Sequence, residues 1–290
     1  MRSNKPDAGE SIIKVVAGPA AIAKAFEGFK PEYVQGYFDV HCAATTLLFL
    51  PADSPIANVE QSTRALATVL IRVLKEWGAN KRVSPRLRPE AEIVKLFTDP
   101  RLREMLRDLS ELRTRLPSVY EGKRVVGTGS HSPDQLDAIV IAVLNQLACG
   151  LFERCTNLTY PSKAVLLLTG YMVAVDSEVR SGAQYAGFTG MGSLLAVADT
   201  RHPDLSTAKK ITAMPYLLGQ AWPRIGDQIK AALVVTGRKD LLELLGHPAR
   251  IFDILLFMQS QSKRMRKYGQ RAQLLRLDNS FHPHAWYRIS

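Results

Sequence analysis

Apolar residues recur at helical spacing over most of this chain. The clearest stretch is Leu136, Ile139, Val140, Val143, Leu144, Leu147 and Leu151, the i, i+3, i+4 rhythm that puts one face of a helix into a core. Ser132-Pro133-Asp134-Gln135 precedes it with capping-box spacing and a proline next to the cap. Leu102, Met105, Leu106, Leu109, Leu112 and Leu116 form a second stripe behind Asp99-Pro100. Val59, Leu66, Leu70, Val73 and Trp77 form a third, behind Ser54-Pro55 and running to Gly78. Pro248 opens a fourth helix with Ile251, Phe252, Leu255 and Met258 inward. No strand pattern stands out and no repeat of solenoid length occurs. The expectation is a mainly α, multi-helix globular bundle.

Other segments are less decided. Residues 1–10 read as a disordered arm, and Ser11 to Phe29 as a short helix interrupted at Gly18-Pro19. Pro31 to Leu50 is aromatic-rich and fits either a strand or a buried helix. Residues 79–98 read as a basic connecting segment, 117–131 as a loop, and 205–247 as two or three short helices punctuated by Pro215, Pro223, Gly226, Gly237 and Gly246. Residues 11–290 are expected to form one mainly helical domain; a division into two lobes, if there is one, falls near 117–131.

The stretch from Thr159 to Arg180 organises the rest. Pro161 suits a first helical turn, where its missing N–H removes no bond. Ala164 to Val175 carries no charge, so the helix there is expected to be apolar all round and buried. Asp176 stands where a second helix begins, a place for a carboxylate that accepts from free N–H groups at the positive helix end.

Composition changes the picture in one respect. The 290 residues are 46% hydrophobic and 22% charged, ordinary for a globular protein, but 38 Lys and Arg against 27 acidic residues give a formal charge of +11. That excess favours a polyanionic partner. Nucleic acid, DNA before RNA, is the expected partner, and no membrane. Cys42, Cys149 and Cys155 form no C-x-x-C pair and read as reduced, buried thiols of an intracellular protein. No secretory leader and no membrane-length apolar run is present, so a cytoplasmic location is expected.

The residues Ser162-Lys163-Ala164 and Val175-Asp176-Ser177-Glu178-Val179-Arg180 resemble the hairpin exit and the aspartate segment of the helix-hairpin-helix DNA glycosylase superfamily. The resemblance covers about twenty residues. It implies a helix-hairpin-helix core and a base-excision activity. Asp176 and Lys163 would be the catalytic residues: an aspartate there steadies the cationic sugar left by the departing base, and a lysine attacks it. A fixed carboxylate suits an oxocarbenium-like carbon, a desolvated lysine is nucleophilic, and the base must first leave the stack. No cofactor or metal is implied.

Arg180, Lys263, Arg264, Arg266, Lys267 and Arg271 are the expected phosphate contacts, the last five within the basic run 263–276 that Tyr268 interrupts. The alternative is a non-enzymatic nucleic-acid-binding protein on the same scaffold, in which Asp176 only caps. A third reading has the basic faces meeting acidic protein partners. Gly127-Thr-Gly129-Ser130 lacks a P-loop lysine, and Gly187-Phe-Thr-Gly190-Met-Gly192 lacks a preceding strand. His282 and His284 have no further ligand near them. His41 and Cys42, being adjacent, do not face each other.

Overall fold

A helix with apolar side chains on every side has to be surrounded, and the segment Thr159–Thr169 is. The computed structural model describes residues 13–51, 53–81, 84–127, 131–154, 158–188, 205–260 and 273–278. In chain order these form β1 (Ile13–Val15), α1 (Pro19–Glu27), α2 (Pro31–Leu48), α3 (Ile56–Glu76), α4 (Glu90–Phe97), α5 (Pro100–Glu111), β2 (Ser118–Tyr120) and β3 (Lys123–Val125). Then follow α6 (Pro133–Gly150), α7 (Thr159–Thr169), α8 (Ser177–Ala186), α9 (Leu205–Val235), α10 (Lys239–Glu243), α11 (Pro248–Met258) and β4 (Leu275–Leu277). The fold is mainly helical.

Helices α2, α3, α5 and α6 pack round α7, and Ala164 to Leu168 are all fully buried. The helix stops at Gly170, whose φ of 65° is left-handed; a Cβ there would also lie 2.7 Å from the Tyr37 hydroxyl, so only glycine serves. The chain then runs on without helix, still buried, to Asp176. Its backbone N–H groups are satisfied by side chains: Tyr171 donates to Thr169 Oγ1, Ala174 to Asp253 Oδ1 at 2.9 Å and Val175 to Ser162 Oγ at 2.8 Å. Unpaired, each would cost about as much as a lost hydrogen bond. These bonds lay the segment back along α7 and bring Asp176 beside Lys163.

Helix α8 packs on α11, so closely at one place that a Cβ on Gly182 would sit 1.7 Å from the Leu256 carbonyl oxygen. Gln259 ties the next turn of chain down. Its side-chain amide donates to the Gly182 carbonyl, and its oxygen accepts from Leu274 and Leu275 at the edge of β4. β4 pairs antiparallel with β1, Ile13 opposite Leu277.

Several expectations hold at residue level. The capping box at α6 is complete: Gln135 N donates to Ser132 Oγ and Ser132 N to Gln135 Oε1. Asp99 caps α5 by accepting from Arg101 N.

Others are corrected. The undecided stretch 31–50 is helix α2, and the supposed connector at 79–98 contains α4. Ser54 makes no capping bond, and Pro55 takes the N-cap position. The loop at 117–131 holds the antiparallel hairpin β2–β3. Its Arg124 lies over the Tyr216 ring and pairs with Asp134 at 2.6 Å and with Asp137. The 205–247 region opens with one helix of 31 residues that runs through Pro215 and Pro223. An interior proline forfeits one backbone bond, and here packing of α9 on α1, β1, β2, α6 and α11 outweighs that loss. The cysteine reading is also corrected: Cys149 is disulfide-bonded, and Cys42 is free but exposed. Spacing along a helix does not reveal such a bond, which needs two α-carbons within about 7 Å. Among the described residues no helix is long and apolar enough to cross a membrane.

Candidate functional site

The first turns of α7 and α8, the end of α3, the α1–α2 connection and α11 enclose a cavity of about 310 Å³. Asp176 is in its wall. One carboxylate oxygen, Oδ1, is taken up as the cap of α8, accepting from Glu178 N at 3.0 Å and Val179 N at 2.9 Å. The other, Oδ2, lies 3.4 Å from Lys163 Nζ, also in the wall. The lysine donates further to the Trp77 carbonyl at 3.3 Å and stands 5.1 Å from the Tyr160 ring centre. The two side chains are 12% and 15% exposed, so the pair is neither a surface bridge nor sealed off. The sequence places a cap and a lysine at these positions; the fold makes them one unit.

The rest of the wall was missed by sequence reasoning. Phe29, Tyr33, Trp77, Tyr160 and Phe257 supply aromatic faces, and Arg250 with Asp253 forms the floor. Arg250 is 2% exposed. Its guanidinium lies 4.9 Å from the Trp77 ring centre, 5.1 Å from Phe29 and 5.4 Å from Tyr37, a cation enclosed by π faces. Nη1 donates to Asp253 Oδ2 at 2.5 Å and Nη2 to the Tyr33 carbonyl at 2.9 Å. Burial and the nearby Asp176 charge raise the Asp253 carboxyl to about 6, against the pull of Arg250. Burial likewise lowers the basicity of Arg250, with Asp253 opposing. A signal for this pair existed: two opposite charges three residues apart in the otherwise apolar run Pro248-Ala-Arg250-Ile-Phe-Asp253-Ile-Leu-Leu-Phe. Charges on a buried helix face have to be paired.

In formal charge the wall is balanced. Lys30, Lys163 and Arg250 stand against Asp176, Glu178 and Asp253. Lys30 and Tyr33 also border a larger, open groove between α2, α3 and α10. There Arg72 pairs with Asp39 and Glu76, and Arg238 with Asp240, so neither arginine offers free charge.

Of the expected phosphate contacts, Arg180 is half-buried on α8 and not in the cavity wall; its Nε is buried and has no hydrogen-bond partner among the described residues. Lys263, Arg264, Arg266, Lys267 and Arg271 lie outside the described residues, as do Cys155, most of both glycine motifs and the tail histidines. No cluster of metal-ligating side chains occurs among the described residues. His41 stacks on Tyr37 and meets His247 edge-on rather than facing Cys42.

The fold thus brings together a carboxylate, an ammonium and five aromatic rings round a hollow of small-molecule size. No protein-family model, curated protein or solved structure matches this chain.

Proposed function

We propose that this protein binds nucleic acid, DNA before RNA, and admits one extruded nucleotide to the cavity to hydrolyse its N-glycosidic bond, as the helix-hairpin-helix base-excision glycosylases do. One observation carries the reading: the Asp176 carboxylate, with the oxygen that does not cap α8 paired to Lys163, lines a hollow walled by aromatic rings. At about 310 Å³ the hollow is at the small end of ligand sites. Aromatic walls favour a flat ring system.

The chemistry follows from the geometry. As the bond from C1′ to the base nitrogen breaks, its electron pair leaves with the base and positive charge spreads over C1′ and the ring oxygen. Asp176 Oδ2 is the group that steadies that charge, and the amides of Glu178 and Val179 hold the carboxylate in place through Oδ1. Water then adds to C1′ and its proton passes to the departed base, giving the neutral free base and an abasic sugar. Lys163 forms an ion pair with Asp176 and donates to the Trp77 carbonyl. Held between that carboxylate and that carbonyl, Lys163 has the part of orienting Asp176, and hydrolysis is the proposed course rather than amine attack.

The second reading, a nucleic-acid-binding protein without catalysis, is favoured by the balanced charge of the wall and by the cap that already employs Asp176. The test is release of a base from duplexes carrying uracil, an alkylated purine or an oxidised purine. Release by the native chain, with a loss of about 10²-fold or more in Asp176→Asn, supports the first reading. No release from any duplex, or equal release by the variant, removes it. Borohydride trapping separates hydrolysis from attack by Lys163, since only the latter gives a reducible covalent adduct.

A further inference from the structure

Of the three cations in the cavity wall, two are already answered: Lys163 pairs with Asp176, and Arg250 with Asp253. Lys30 is the third. It is exposed, stands 5.7 Å from the Tyr33 ring centre, and among the described residues belongs to none of the ion pairs of the cavity or of the groove beside it. Its place matters as much as its charge. Lys30 and Tyr33 line both the cavity and the open groove between α2, α3 and α10, so they stand where the two hollows adjoin. The cavity's own carboxylates, Asp176, Glu178 and Asp253, are on or next to α8 and α11, whereas Lys30 is on the α1–α2 connection. In the groove Arg72 is held by Asp39 and Glu76, Arg238 by Asp240, and the exposed Glu32 adds negative charge. An anionic group on a ligand therefore meets one uncommitted cation, at the shared rim.

We infer that Lys30 receives a single phosphate, the ester on the sugar whose base lies in the cavity, so that the ligand recognised is one nucleotide unit and not a run of phosphates. A lysine ammonium on its flexible stem turns three donors toward whatever oxygen is offered, and an exposed one gives up little hydration until the phosphate arrives. With Arg72 and Arg238 paired, a second phosphate along the groove finds no free cation. The phosphate is that of a free mononucleotide or of one nucleotide within a strand, and the chemistry at Lys30 is the same in both. The inference adds a phosphate contact to the proposed function and rests on its reading of the cavity as a base pocket.

The test uses the intact chain at low ionic strength with adenosine, guanosine, cytidine and uridine and with their monophosphates and triphosphates. Binding is followed by ligand-observed NMR. At least one monophosphate is expected to bind about threefold or more tightly than its own nucleoside, a gain that salt screens, and the triphosphate to gain little further. Lys30→Gln is expected to remove that gain while the nucleoside binds as before, and Lys30→Arg to keep it. Equal binding of nucleoside and monophosphate overturns the inference. So does a gain undiminished in Lys30→Gln, a triphosphate bound far more tightly than the monophosphate, or no binding at all. A short single strand of the preferred base distinguishes the sources: Lys30-dependent binding of the strand assigns the phosphate to nucleic acid, and such binding of the mononucleotide alone assigns it to a free nucleotide. The two proposals fail separately. Lys30-dependent phosphate binding without base release removes the enzyme and leaves the pocket; Asp176-dependent release indifferent to Lys30 does the reverse.

Discussion

The Tyr37 hydroxyl lies 2.7 Å from Nδ1 of His247, in a part of the core where both side chains are buried. His41 stacks on the same tyrosine and meets the His247 ring at 4.8 Å between centres. Two imidazoles and a phenol thus share one buried place between α2 and the turn before α11.

Acid is expected to loosen the fold well above the range in which carboxylates titrate. Burial, with the Arg113 charge nearby, holds His41 at about 4 and His247 at about 3, against about 6.5 in an unfolded chain. Between those values the unfolded chain takes up protons that the folded one refuses, so this stability is complete above about 6.5 and lost as pH falls. Asp253 acts in the opposite sense. Raised to about 6 when folded, it contributes stability that is present below about 4 and lost as pH rises through 6. Two groups outweigh one, so urea midpoints should fall from pH 6.5 to pH 4. The slope should reverse in a His41→Gln/His247→Gln variant, where of these three groups only Asp253 is left, and steepen in Asp253→Asn. A midpoint independent of pH across that window would show that the imidazoles are not held neutral.

Asp176 is expected to show two separable effects. Asparagine can still accept from the Glu178 and Val179 amides and so keeps the cap, whereas alanine loses it at about 1 kcal/mol. In thermal melts Asp176→Asn should therefore stay near the native protein and Asp176→Ala should fall below it. Base release, where it occurs, should be lost in both. Equal melting of the two variants would mean that the cap contributes nothing measurable.

Arg250 is expected to be costly to remove. Arg250→Met leaves Asp253 buried without its partner, a change in the range of about 3–5 kcal/mol. Asp253→Asn in the same chain removes the stranded charge and still accepts from Ala174 N, so the double variant should recover part of the loss. Chemical denaturation of the four chains gives the coupling directly, and a double variant no better than Arg250→Met would show that no charge was stranded.

Gly182→Ala is expected to be among the worst single substitutions in the chain. Its Cβ would meet the Leu256 carbonyl oxygen at 1.7 Å, and backbone cannot move aside as a flexible side chain can. Separating α8 from α11 should cost on the order of 3 kcal/mol and would widen the cavity between them. A melting temperature within a degree or two of native would contradict the packing described.

Some of this was legible without a structure, for a reason of range. The α6 capping box joins Ser132 to Gln135 and the α8 cap joins Asp176 to Glu178 and Val179, contacts within three residues that local sequence specifies. The apolar run after Lys163 could only be buried, whatever surrounded it. Tertiary packing decided the rest. It carried α9 through two prolines, paired three-residue strands too short to show a period, and turned a supposed connector into α4. The cavity depends most on it: Arg250 reaches the Tyr33 carbonyl across 217 residues of sequence, and Lys163 reaches Trp77 across 86. By itself the sequence determined a helical chain with a buried central helix and a capping aspartate. Only the fold decided that the oxygen left over from the cap meets a lysine in the wall of a cavity, since that depends on which distant side chains close round it.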